Sequence, residues 1–97
     1  MSSDAQLLAD VDLVILGSTS QAYTEFESQI REEYSMYPIG LYRSGRLAVL
    51  RGFLERPRIF ATPWFASRYE AQARNNLKRA IKQLESQNQE ESTCLNS

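Results

Sequence analysis

Ninety-seven residues make one domain, long enough to bury roughly two-thirds of the unfolded surface, and a net charge of −1 with 42% apolar residues argues against wholesale disorder. The chain has no histidine and a single cysteine, Cys94, which excludes a disulfide framework within the chain, a tetrahedral Cys/His zinc site and a complete histidine-dependent metal centre. No apolar run approaches the roughly 20 residues of a membrane span, and Met1-Ser2-Ser3-Asp4 lacks the basic flank of a secretory signal, so the expectation is a cytoplasmic protein that stays out of the membrane.

Charge is segregated along the chain. Up to Gly40, seven acids stand against one base, Arg31; from Leu41 to Glu85, ten bases stand against three acids. Halves of opposite sign attract each other in the fold, and the basic half can also meet an anionic ligand.

In chain order, Asp4 to Leu16 reads as a helix stopped by Gly17. Leu7, Leu8, Val11, Val14 and Ile15 share one face, and Leu13 and Leu16 make the helix apolar nearly all round, which predicts burial on several sides. A short strand over Leu13 to Leu16 is the competing reading. Ser18 with Gln21 fits a capping box that opens a second helix to about Met36, with Tyr23, Phe26, Ile30 and Tyr34 as its apolar stripe. Pro38 suits the first turn of a third helix over about Ile39 to Glu55, where Ile39, Tyr42, Val49, Leu50 and Phe53 share one side. Gly45 and Gly52 weaken that helix by about 1 kcal/mol each relative to alanine and allow a neighbour to approach closely. Arg56-Pro57-Arg58 breaks it, and Ile59-Phe60 forms a connector pinned by its own apolar side chains. Thr62-Pro63 then starts a fourth helix, burying Phe65, Tyr69, Ala73, Leu77, Ala80, Ile81 and Leu84 and ending near Ser86. The expected fold is all-α, a small helical bundle of about four helices in residues 1–86, with 87–97 as a polar, disordered tail.

Three residues break the apolar pattern. Asp12 lies at the margin of the apolar face of the first helix. A carboxylate there needs an arginine, several donors or a metal ion whose other ligands lie elsewhere. Asp10, two residues away, points about 200° from it, so the two cannot pinch one ion. Arg46 falls within the apolar side of the third helix and must meet a carboxylate or a phosphate. Candidates are Asp12, Asp10 or an acid of the second helix. Asn76 sits inside the stripe of the last helix and is expected to satisfy a backbone group. Opposite that stripe, Arg68, Arg74, Lys78, Arg79 and Lys82 form a basic face without interleaved aromatics for base stacking. It reads as solvated surface, and nucleic acid is not the expected partner. No phosphate loop, serine elbow or Cys/His nucleophile pair is present.

The segment Asp10-Val11-Asp12-Leu13-Val14-Ile15-Leu16-Gly17 resembles the Asp-Ala-Asp-Leu-x-Ile-Leu-Gly segment of a family of predicted metal-dependent phosphohydrolases of the HD superfamily. The resemblance continues through Tyr23, Ile30 to Tyr34, Gly45-Arg46, Val49-Leu50, Phe53-Leu54, Arg56, Ile59-Phe60, Thr62, Glu70, Ala73-Arg74 and Asn76-Leu77. It implies the C-terminal part of a helical HD-type fold, in which two histidines and two aspartates hold a divalent ion that activates water against a phosphate ester. By position, Asp12 matches the last of those aspartates. The histidines and the His-Asp pair belong to a family segment that precedes Asp4. The functional expectation is therefore a truncated or split phosphohydrolase-like protein, inactive alone, with Asp12 as an orphan metal ligand. Arg46 and Asp10 are then a phosphate contact or a structural salt bridge. No cofactor is expected on the isolated chain, the divalent ion being implied only for an intact member. The expected partner is a complementary N-terminal half, or a second copy through the apolar first helix. Alternatives are a binding module that uses the basic face for a polyanion, or a structural helical subunit.

Overall fold

The computed structural model describes residues 9–96, with side chains described for residues 9–87. It is an all-α bundle with no strand among the described residues. Helix α1 is α-helical over residues 9–13 and tightens into a 3-10 helix over Val14–Gly17. Helix α2 spans Ser20–Glu33, α3 Ile39–Glu55 and α4 Pro63–Asn96. The competing strand over Leu13 to Leu16 does not form. The expected start of α1 at Asp4, with Leu7 and Leu8, lies outside the described residues.

Helix α4 is the spine. Thirty-four residues at 1.5 Å each span about 51 Å, which accounts for the 54 Å long dimension of the molecule. The end of α1 and helix α3 pack along it, and α2 touches both α1 and α4. The core is Leu16, Tyr23, Leu50, Ile59, Phe60, Ala73, Leu77 and Ala80, with Phe26, Phe53, Phe65, Tyr69, Ile81 and Leu84 packed around it. Ile59 and Phe60 pin the connector as expected. Burying each large side chain contributes about 1.5–3 kcal/mol.

Local expectations fail where a tertiary contact decides. Gly17 ends the first helix, but no described glycine has positive φ, so it is no left-handed cap. A Cβ on Gly17 would lie 2.7 Å from Tyr69 Cβ and 2.8 Å from Tyr69 O. Only glycine lets the end of α1 press onto α4. Gly45 and Gly52 are the reverse case: nothing lies within 4 Å of where their Cβ would be, so neither permits a close helix crossing.

The capping box is displaced by one residue. Thr19, not Ser18, is the N-cap of α2, its hydroxyl accepting from Ala22 N–H at 3.2 Å, while the Ser18 hydroxyl donates back to Ile15 O. Helix α2 stops at Glu33, short of Met36, and the residues after it turn. Pro38 is the N-cap of α3 rather than its first residue. On α3 the buried residues are Leu47 and Leu50, while Val49 is half-exposed. Helix α1 is not buried all round either, since Val11 is half-exposed. Helix α4 begins at Pro63 as expected, but continues to Asn96, past the end placed near Ser86. Residues 87–96 contain neither glycine nor proline to stop it.

Candidate functional site

Asp10 is the buried carboxylate of α1, 1% exposed, and it binds the start of α4. Ala61 N–H donates to Oδ1 at 2.8 Å, and Thr62 N–H and hydroxyl donate to Oδ2 at 2.8 and 2.7 Å. Burial by itself pushes this carboxyl up. The bonds from Ala61 and Thr62 outweigh that, and its pKa falls below the ordinary carboxylate value. A negative charge beside the first turn of α4 also complements the helix dipole. The expected salt bridge or phosphate contact at Asp10 is thus replaced by backbone and hydroxyl donors. The Thr62 hydroxyl turns to Asp10 while the Thr62 carbonyl accepts from Ala66 N–H.

Asp12 is exposed, so the burial that made a buried arginine pair or a metal ion its expected partner does not arise. The divalent ion implied by the resemblance does not fit the residues present. No three of His, Cys, Asp and Glu converge among the described residues. Both Asp10 oxygens, moreover, face hydrogen-bond donors, the wrong neighbours for a cation.

Arg46 of α3 takes the third of its candidate partners, an acid of α2. Its Nε donates to Glu27 Oε1 at 2.9 Å and its NH2 to Oε2 at 2.7 Å, a planar two-point pair. The side chains are only 13% and 18% exposed. Burial disfavours the charged guanidinium, but Glu27 more than compensates, and the pKa of Arg46 is raised. The Tyr23 hydroxyl donates to Glu27 Oε2 at 2.5 Å. Burial foremost, then the Glu27 contact and charge, push the Tyr23 phenol well above its usual value against the opposing pull of Arg46. Tyr42 is also raised, by burial first and then by the Glu27 charge, with Arg46 and Arg31 opposing.

Asn76, fully buried, behaves as its position predicts. Its Nδ2 donates to Leu16 O and Ser18 O, both at 2.8 Å, closing the carbonyls at the end of α1. Its Oδ1 accepts from Gln72 and Arg79.

The basic face is largely committed inside the molecule. Arg74 Nε donates to Glu70, and its other nitrogens donate to Leu54 O, Arg56 O and Pro57 O, closing the C-terminal end of α3. Glu70 in turn accepts from Ile59 N–H and Phe60 N–H. Arg68 lies over the Trp64 ring and donates to Trp64 O. Of the five cations, Arg68, Lys78 and Lys82 are exposed. Sequence reasoning missed Glu27 and Glu70, because an acid on a polar stripe carries no local sign of its partner.

A cleft of about 400 Å³ opens between α2, α3 and α4, lined by Tyr23, Glu27, Arg31, Glu32, Tyr42, Arg43, Arg79 and Gln83 among others. A second, more apolar groove of similar size lies against Ile30, Tyr34, Tyr37, Leu41 and Val49. Asp12 borders neither. No family model matches the chain, and no curated protein or solved structure does.

Proposed function

We propose that this chain is an HD-phosphohydrolase-like helical part that is catalytically incompetent alone and contributes one carboxylate, Asp12, to a metal site completed by other ligands. The reading rests on the motif resemblance, and the observation that carries it is the contrast within that motif. Asp10 is wholly engaged with Ala61 and Thr62, while Asp12 is exposed and open to a partner. With no imidazole in the sequence, one carboxylate offers a divalent ion too few donors to hold it. A complementary chain that brings a histidine and a His-Asp pair would supply the rest.

Titration of the purified chain with manganese, nickel and magnesium, followed by a phosphomonoesterase screen, tests the proposal. The expected result is no tight ion and no turnover. Micromolar metal binding that disappears in Asp12→Ala, with turnover, would overturn it. A second reading, a structural helical subunit, is favoured by the exposed apolar corner of Tyr34, Met36, Tyr37, Leu41 and Val49. Sedimentation as a monomer at high concentration would remove that reading.

A further inference from the structure

The cleft between α2, α3 and α4 gathers guanidinium groups from all three helices. Arg31, Arg43 and Arg79 line it, one from each helix, against Glu27 and Glu32. Glu27 is already held in a two-point pair by Arg46 from beneath, so Glu32 is the lining acid that the Arg46 pair does not neutralise. Arg31 and Arg79 are also held in place. The Arg31 guanidinium lies 5.2 Å from the centre of the Tyr42 ring, and Arg79 NH2 donates to Asn76 Oδ1 at 2.8 Å. Asn76 is itself fixed by two carbonyls of the α1 end. Ile39, Ala80 and Leu84 give the same cleft an apolar wall.

We propose that this cleft binds a small organic dianion, its charges shared between Arg31 and Arg79 and its body lying on Ile39 and Leu84. Guanidinium groups from two helices favour a ligand with several anionic oxygens, because each fork takes two of them. Arg31 and Arg79 together outweigh Glu32, so a ligand with two negative charges gains more than one with a single charge. About 400 Å³ lies at the small end of the range for ligand sites and suits a single-ring compound rather than a polymer. Both tyrosine phenols are held in the neutral form and add no repulsive charge. The inference uses neither Asp12 nor a metal ion, and so it stands or falls separately from the proposal above.

Isothermal titration at low salt, without added metal, tests it with phenyl phosphate, phthalate and the monoanion benzoate. Saturable binding of at least one dianion, with benzoate weaker, is expected, and the tighter of the two dianions identifies the phosphate or the dicarboxylate class. Arg31→Gln should weaken that dianion by roughly tenfold, and Glu32→Gln should tighten it. Arg58→Gln, an exposed cation outside the cleft, should leave it unchanged. Should circular dichroism show Arg31→Gln unfolded, Glu32→Gln decides alone. Absence of binding by both dianions, equal binding by the Arg31 variant, or no tightening in Glu32→Gln would overturn the assignment.

Discussion

Replacing Asp10 by asparagine keeps the shape of the side chain and removes its charge. The carboxylate accepts three hydrogen bonds, from Ala61 N–H, Thr62 N–H and the Thr62 hydroxyl. Asparagine retains one acceptor oxygen and sets its NH2 group against donors, so at least one backbone N–H at the start of α4 loses its partner. A hydrogen bond to a charged group is worth about 1.5–3 kcal/mol, and the charge at the helix N-terminus adds about 0.3–1 kcal/mol. The expected loss is about 2–4 kcal/mol, a large share of the 5–15 kcal/mol typical of a domain. Urea unfolding followed by far-UV circular dichroism should show a lower midpoint at unchanged slope.

The pH dependence supplies a second readout from the same residue. The folded pKa of Asp10 is lowered, so at acid pH the unfolded chain binds the extra proton and stability rises with pH. The contribution is complete above the unfolded value of about 3.9 and is lost as pH falls through the lower folded value. Asp10→Asn should flatten that acid limb, and Asp12→Asn, at an exposed position, should change stability by less than about 0.5 kcal/mol. An Asp10→Asn protein as stable as the parent, with the same acid limb, would refute the clamp.

Two further comparisons test the packing. Gly17→Ala forces a methyl group into the Tyr69 backbone and should cost about 1–3 kcal/mol, whereas Gly52→Ala, with open space at its Cβ, should stabilise by about 0.5–1 kcal/mol; thermal unfolding of the two variants should shift in opposite directions. Arg46→Ala leaves Glu27 partly buried without its two-point partner and should cost about 2–4 kcal/mol. A double-mutant cycle with Glu27→Ala should show the pair coupled, and additive losses would remove the pair as a stabilising contact.

Much of the bundle is legible residue by residue because helix signals are local. Pro38 and Arg56-Pro57 bracket α3, and Thr62-Pro63 opens α4 where the sequence places it. The buried stripe of Ala73, Leu77 and Ala80 follows from its spacing. Asn76 was readable for the same reason, since a buried amide must find backbone groups. The same pattern points to Asp12 as the carboxylate beside the apolar face, whereas the structure buries Asp10 and exposes Asp12. Helical spacing sees only the helix, while Asp10 is buried by a connector some fifty residues on.

Several residues that carry the family resemblance act as clamps in this fold. Asp10 and Thr62 join α1 to α4, Glu70 and Arg74 hold the connector and the end of α3, Asn76 closes α1, and Gly17 admits Tyr69. The spacing of these residues is accounted for by folding requirements, whereas Asp12 is exposed.

By itself, the order of residues determined a helical chain, most of its helix boundaries, and the lack of imidazole that limits its metal chemistry, because all three depend on neighbours within a turn or on composition. Only the tertiary structure decided which carboxylate is buried, which acid Arg46 meets, which glycine is indispensable, and that three arginines from separate helices share one cleft. Those outcomes depend on side chains brought together across 19 to 60 positions, and no local period records such a meeting.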